Sequence, residues 1–189
     1  MFCRYPKDKI IYKGCNRPFL PLERLLPFRG HLYMEEEISF DRSLYYGSTD
    51  IRIVNDLSKI MGFSCHLSNH KESYRLAIHP EKDKIKVYPY IYKNGERFDY
   101  AELCEISYDQ IVKFRIICNS DKVCLTILEY EYGVERIKAQ YITDLESIPY
   151  FVKTCGIYIG GHYKNGKDWK PNHDMKFTRY KKRKVTNRL

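Results

Sequence analysis

Between Lys84 and Ile106 the sequence reads KIKVYPYIYKNGERFDYAELCEI, and its polar and aromatic residues recur at every second position. Lys86, Tyr88, Tyr90 and Tyr92 share one side of an extended chain, while Ile85, Val87, Pro89 and Ile91 take the other. Arg75 and Arg97 come near the tyrosines if the neighbouring segments pair with this strand. Phenol rings beside guanidinium and ammonium groups suit an anionic or sugar-like ligand, since rings stack on flat ligands and arginine forks onto acids. A face of this kind is therefore the first candidate binding site. The competing reading is a solvated sheet surface with snorkelling lysines.

A second group of chemically capable residues lies in HYKNGKDWKPN, residues 162–172, with His173 directly after it. His162, Lys164, Trp169 and His173 add cations, imidazoles and the single tryptophan to the same expected ligand site, on a loop suited to clamping an anion. Four histidines, His66, His70, His162 and His173, offer a metal reading only if they meet in space. The His66/His70 spacing is not the helical pair of a metalloprotease, and no helix follows His162 to complete a ββα metal fold. No phosphate-cradling loop or dinucleotide fingerprint occurs, so no metal and no cofactor are expected. Pairing of Cys65 or Cys155 with a histidine would give a nucleophile, but no spacing supports it.

These groups need a sheet to hold them, and the rest of the chain supplies strand signals. Asn94-Gly95 after an alternating run marks a tight hairpin. Ser73–His79, Gln110–Cys118, Lys122–Tyr132, Val134–Tyr141, Pro149–Ile159 and His173–Tyr180 add short apolar or alternating runs bounded by turn residues. One short helix is expected after Asn55 or Asp56, with Leu57, Ile60 and Met61 on one side and Gly62 as its left-handed stop. The prediction is an all-β antiparallel sandwich of jelly-roll type over residues 31–180. Before it lies an irregular, proline-punctuated arm, residues 1–30, and after it a basic tail, residues 181–189.

Charge and cysteine content narrow the setting. The chain of 189 residues carries a net charge of +9. Its two ends hold that charge, and residues 31–178 sum to −2. Arg179, Lys181, Lys182, Arg183, Lys184 and Arg188 form an alternative, nucleic-acid-binding group in the tail. Seven cysteines, with no CxxC pair and no apolar leader in the first 21 residues, lead to the expectation of a reduced, cytoplasmic setting and no membrane association.

Several short motifs occur in a recognisable order: Gly62-Phe63-Ser64, a loop with His66 and His70, Ser73-Tyr74-Arg75, the tyrosine strand, Asn94-Gly95-Glu96-Arg97, Pro149-Tyr150-Phe151, Gly160-Gly161, and Pro171-Asn172-His173-Asp174. In that order they resemble a group of small bacterial and phage-associated proteins with a concanavalin-like jelly-roll fold. Eight residues separate Phe151 from Gly160 here, where the group has a contiguous PYFGG, and the Gly-Trp expected after Arg75 is absent. The resemblance implies the fold. Together with the residues it leads to the expectation of a non-catalytic binder of a small anionic ligand or a host protein, such as a phage anti-defence sponge. Nucleic-acid binding through the termini and hydrolysis at the histidine loop are the alternatives.

Overall fold

A computed structural model describes residues 7–11, 24–45, 57–98, 101–159, 174–180 and 184–186. The strands are β1 (Lys7–Ile11), β2 (Leu25–Pro27), β3 (Leu32–Phe40), β4 (Ser58–Ser64), β5 (Ser73–Pro80), β6 (Ile85–Lys93) and β7 (Glu96–Phe98). They continue with β8 (Cys104–Ile106), β9 (Val112–Cys118), β10 (Lys122–Glu131), β11 (Val134–Asp144), β12 (Phe151–Cys155), β13 (Met175–Arg179) and β14 (Lys184–Thr186). The first sheet runs β1-β13-β3-β9-β10-β11, with β14 also on β3; the second runs β2-β12-β4-β5-β6-β7, with β8 also on β6. Every pairing is antiparallel. The expected all-β sandwich is what forms. Among the described residues, no helix is long and apolar enough to cross a membrane.

The alternating runs face as their pattern dictates. Val112, Phe114, Ile116 and Cys118 of the first sheet and Ile85, Val87 and Ile91 of the second are fully buried between the sheets. Phe40 packs on Phe114 at 6.1 Å, and Phe63 stacks on Tyr74 at 5.3 Å. Asn94 (φ 51°) and Gly95 (φ 86°) both take positive φ, closing the β6–β7 hairpin through the tight turn that the dipeptide favours.

The expected helix does not form: Ser58–Ser64 is strand β4, paired with β5 and β12. The register slips between Lys59 and Met61, leaving Ile60 as the extra residue of a bulge. Ile60 and Met61 are consecutive, yet both join the core. This local break in alternation imitates the helical spacing of Leu57, Ile60 and Met61. The expected boundaries at residues 30 and 180 do not coincide with the sheet edges either. β1 pairs with β13, β2 with β12 and β14 with β3, so both terminal stretches supply strands.

The outer face of the first sheet carries a closed network of charges. Lys113, nearly buried, lies 3.8 Å from Glu35 and 4.0 Å from Glu37 and also pairs with Glu135. Arg115 donates to Glu35 at 2.8 Å, while Tyr33 and Tyr130 donate to Glu35 and Glu37 at 2.5 Å. Burial pushes the Glu35 pKa up, but the hydrogen bonds from Tyr33 and Arg115 and the charge of Lys113 outweigh it and hold the carboxyl below its usual range. A depressed folded-state pKa gives stability above the unfolded pKa that is lost as pH falls through the folded one. Glu35→Gln is expected to cost about 1 kcal/mol at neutral pH and less in acid. Urea midpoints of the two proteins should therefore converge below pH ~4; a gap constant with pH would refute this assignment.

Candidate anion site on the outer face of the second sheet

β5 sends Tyr74, Leu76 and Ile78 into the core, so Ser73, Arg75, Ala77 and His79 point the other way. In register, Arg75 lies beside Tyr90 and Ser73 beside Tyr92 on β6, and Arg97 lies beside Tyr92 on β7. On the other side Arg75 faces Gly62 of β4, which faces Cys155 of β12. Lys59 faces Ala77 and also exchanges backbone hydrogen bonds of 2.8 Å with Tyr158.

These registers gather three cations around one ring. Lys59 Nζ and the Arg75 guanidinium each lie 4.7 Å from the Tyr90 centroid, and the Arg97 guanidinium lies 5.7 Å from it. Lys59 is also 5.7 Å from the Tyr158 ring, and Arg75 is 5.7 Å from Tyr92. Tyr90 and Tyr92 contact each other at 5.8 Å, and the His70 ring stacks on Tyr92 at 5.1 Å. The short side chain of Ala77 leaves Lys59 room to lean toward Tyr90.

Arg75 is the most constrained member. It is 5% exposed, and burial lowers its pKa, although a guanidinium stays charged at any physiological pH. Its Nη2 donates to the Asn69 carbonyl at 3.3 Å, and its Nε has no hydrogen-bond partner. Among the described residues no carboxylate pairs with it. Burying an arginine without a counter-charge is costly, and it is tolerated where an anion completes the site. Tyr92 is pushed up by burial, then by the hydrogen bond and charge it shares with Tyr90.

Loop 65–72 walls one end of this face. Ser64 Oγ sits within it, 2.8 to 3.0 Å from the carbonyl oxygens of His66, Ser68 and Glu72, any one of which can accept its single proton. Ser73 Oγ donates to the Asn69 carbonyl at 2.6 Å. The same loop thereby fixes the acceptor for Arg75 and presents His70 to Tyr92.

Of the residues expected to form the ligand site, Arg75, Tyr90, Tyr92 and Arg97 come together. Lys86 and Tyr88 share the strand face but belong to another cluster. Lys86 pairs with Glu81 at 3.0 Å and Glu102 at 3.6 Å, and Tyr88 is pushed up by burial and then by Glu102. His162, Lys164, Trp169 and His173 lie outside the described residues. Lys59, Asn69, His70 and Tyr158 join the cluster without having been singled out as its members. Reading 58–64 as a strand was the missing signal for Lys59. Among the described residues, no three His, Cys, Asp or Glu side chains gather as a metal site.

Of the alternative basic group, Arg179 and Lys184 are among the described residues, and both have partners. Arg179 turns inward and pairs with the buried Glu36. Lys184 belongs to β14 and stands 5.2 Å over the Tyr33 ring. Lys181, Lys182, Arg183 and Arg188 lie outside the described residues.

No family model matches the sequence, and a search of curated proteins returned no match. Among solved structures the chain is similar to a functionally unknown protein from Saccharomyces cerevisiae, with a TM-score of 0.53 and 7% identity over 91% of this chain and 75% of that one. It is also similar to the alginate lyase from Klebsiella pneumoniae, with a TM-score of 0.53 and 17% identity over 82% of this chain and 59% of that one. A third is an alginate lyase of polysaccharide lyase family 7, with a TM-score of 0.54 and 12% identity over 97% of this chain and 79% of that one. These likenesses support the jelly-roll fold that the sequence resemblance implied; no bacterial or phage-associated group of uncharacterised proteins stands among them. The two alginate lyases run against the expectation of a non-catalytic binder or anti-defence sponge, and neither is named for nucleic-acid binding or hydrolysis, the two alternatives. At such identities the likeness extends to fold alone: the chain is a jelly-roll sandwich of the shape that alginate lyases also use.

Proposed function

We propose that the outer face of the second sheet is an active site that binds an acidic polysaccharide and cleaves it by elimination. The observation that carries this reading is Arg75: buried, charged, and without a carboxylate partner among the described residues. Elimination beside a sugar carboxylate needs a cation on that carboxylate, a base for the neighbouring carbon-bound proton, and an acid for the departing glycosidic oxygen. Arg75, Arg97 and Lys59 supply the cations. Tyr90, centred among them, and Tyr92 and Tyr158 beside it supply phenols to carry the proton. The alginate lyases among the structural neighbours support the same reaction class at the level of the fold.

The test is incubation with a panel of acidic and neutral polysaccharides, followed by ultraviolet absorbance for the unsaturated uronate that elimination leaves. At least one acidic polymer is expected to yield it, and no neutral one. New reducing ends without that absorbance would replace elimination with hydrolysis, and no binding to any acidic polymer would sink the reading. Tyr90→Phe is expected to lower turnover about a hundredfold while binding is retained; unchanged turnover would exclude Tyr90 as a proton carrier.

A further inference from the structure

We infer that Cys155 is an oxidisable thiol built into the anion site, and that its oxidised, anionic forms fill the place beside Arg75 that a substrate acid group takes. The second half rests on the reading of this face as an acid-binding site. The first half stands on geometry alone. Cys155 and Arg75 lie either side of Gly62 on adjacent strands. With no side chain at Gly62, the arginine stem fills that space: its Cγ lies 2.4 Å from where a Gly62 Cβ would be. The guanidinium beyond it lies 4.7 Å from the Tyr90 centroid and within reach of a charge on Cys155. Asn69 ties the two together, its carbonyl accepting from Arg75 Nη2 at 3.3 Å and its Oδ1 accepting from Cys155 Sγ at 3.5 Å. The unpartnered Arg75 Nε leaves the guanidinium short of negative charge, and a thiolate is the anion this chain itself can place there.

Burial dominates three other thiols, Cys65 and Cys118 being buried and Cys104 half-buried. Burial pushes Cys118 up to about 12 and Cys104 up to about 11, and burial followed by the Glu72 charge pushes Cys65 higher still. All three shifts favour the protonated thiol. Cys155 is 3% exposed, so the reagent it admits is small, and hydrogen peroxide is the probe of choice. The thiolate sulfur attacks one peroxide oxygen; an S–O bond forms, the O–O bond breaks, and hydroxide leaves to become water on taking a proton. Sulfur gives up an electron pair and peroxide is reduced. The sulfenic sulfur attacks a second peroxide in the same way, the O–O bond breaks and a second water leaves, and the proton of the resulting sulfinic acid passes to solvent. The resulting sulfinate is a fixed acid group beside Arg75.

The experiment treats the full chain with graded peroxide and follows each cysteine peptide by mass. Cys155 is expected to gain one and then two oxygens before Cys104 or Cys118 gains any. In Arg75→Met the Cys155 reaction should slow about tenfold, because the cation that favours the thiolate is gone. Oxidation of Cys155 no faster than of Cys118, or at the same rate in Arg75→Met, overturns the assignment. For closure of the site, binding of acidic polysaccharide should be lost on oxidation of the natural chain and kept by Cys155→Ser given the same dose. Equal loss in both proteins refutes closure. If the untreated chain binds no acidic polysaccharide at all, the functional reading falls with the closure, while the mass shifts still judge the thiol.

Discussion

Arg75→Met should weaken binding of an acidic polysaccharide about a hundredfold, remove measurable elimination, and leave the melting temperature unchanged or higher. The two halves of this expectation have one cause. A guanidinium that is 5% exposed has given up most of its water, and the compensation visible among the described residues is one carbonyl hydrogen bond and the faces of Tyr90 and Tyr92. Charge-assisted bonds to a bound acid group would be worth about 3 kcal/mol, which is a hundredfold in affinity. With no ligand present the charge contributes cost, so an apolar side chain of similar length should be neutral or stabilising. Isothermal titration and thermal melts on the same preparations check both. Lower stability with unchanged binding would make Arg75 a structural residue and remove the main support for the site. Arg75→Lys separates charge from shape: it keeps the cation and loses the planar fork, so affinity should return only in part.

The legible part of this molecule is where local chemistry and the global fold agree. From Ile85 to Glu96, alternation and Asn94-Gly95 determine a hairpin with one buried and one polar-aromatic face, and nothing in the surroundings overrides them. Lys59 could not be read because its neighbourhood carries a bulge: Ile60 and Met61 both turn to the core, and a period of two becomes a spacing that looks helical. Lys86 shows the opposite limit. Its strand position was legible, but its neutralisation depends on Glu81 in a turn and Glu102 in a distant loop, neither placed by periodicity. Arg179 was read by charge density as part of a tail. Its partner is Glu36, a carboxylate on the inward side of β3, and only the pairing of β13 with β3 brings them together. The terminal strands are hidden for a related reason: β2 and β14 are three residues each, too short to show a pattern, and they form on the longer strands β12 and β3 that pair with them.

Gly62→Ala should destabilise the chain by about 3 kcal/mol, a fall of about 10 °C for a chain of this size. Gly62 has no positive φ, so its conformation does not demand glycine; the space around it does. A Cβ there would lie 2.4 Å from the Tyr74 carbonyl oxygen and Arg75 Cγ, and 2.6 Å from Arg75 Cα. Two of these three atoms are backbone, so relief requires β4 and β5 to part, in the interior of the second sheet and directly under the three cations. The position that read as the stop of a helix is thus the gap through which the arginine reaches its site. Removing the flexible neighbour tests this. In an Arg75→Ala background the Cγ contact is gone and the backbone contacts remain, so a double-mutant cycle followed by urea unfolding should recover part of the loss and no more. Full recovery would mean that the arginine stem alone needs the glycine. No loss in Gly62→Ala to begin with would mean that the two strands lie further apart than their register and contacts require.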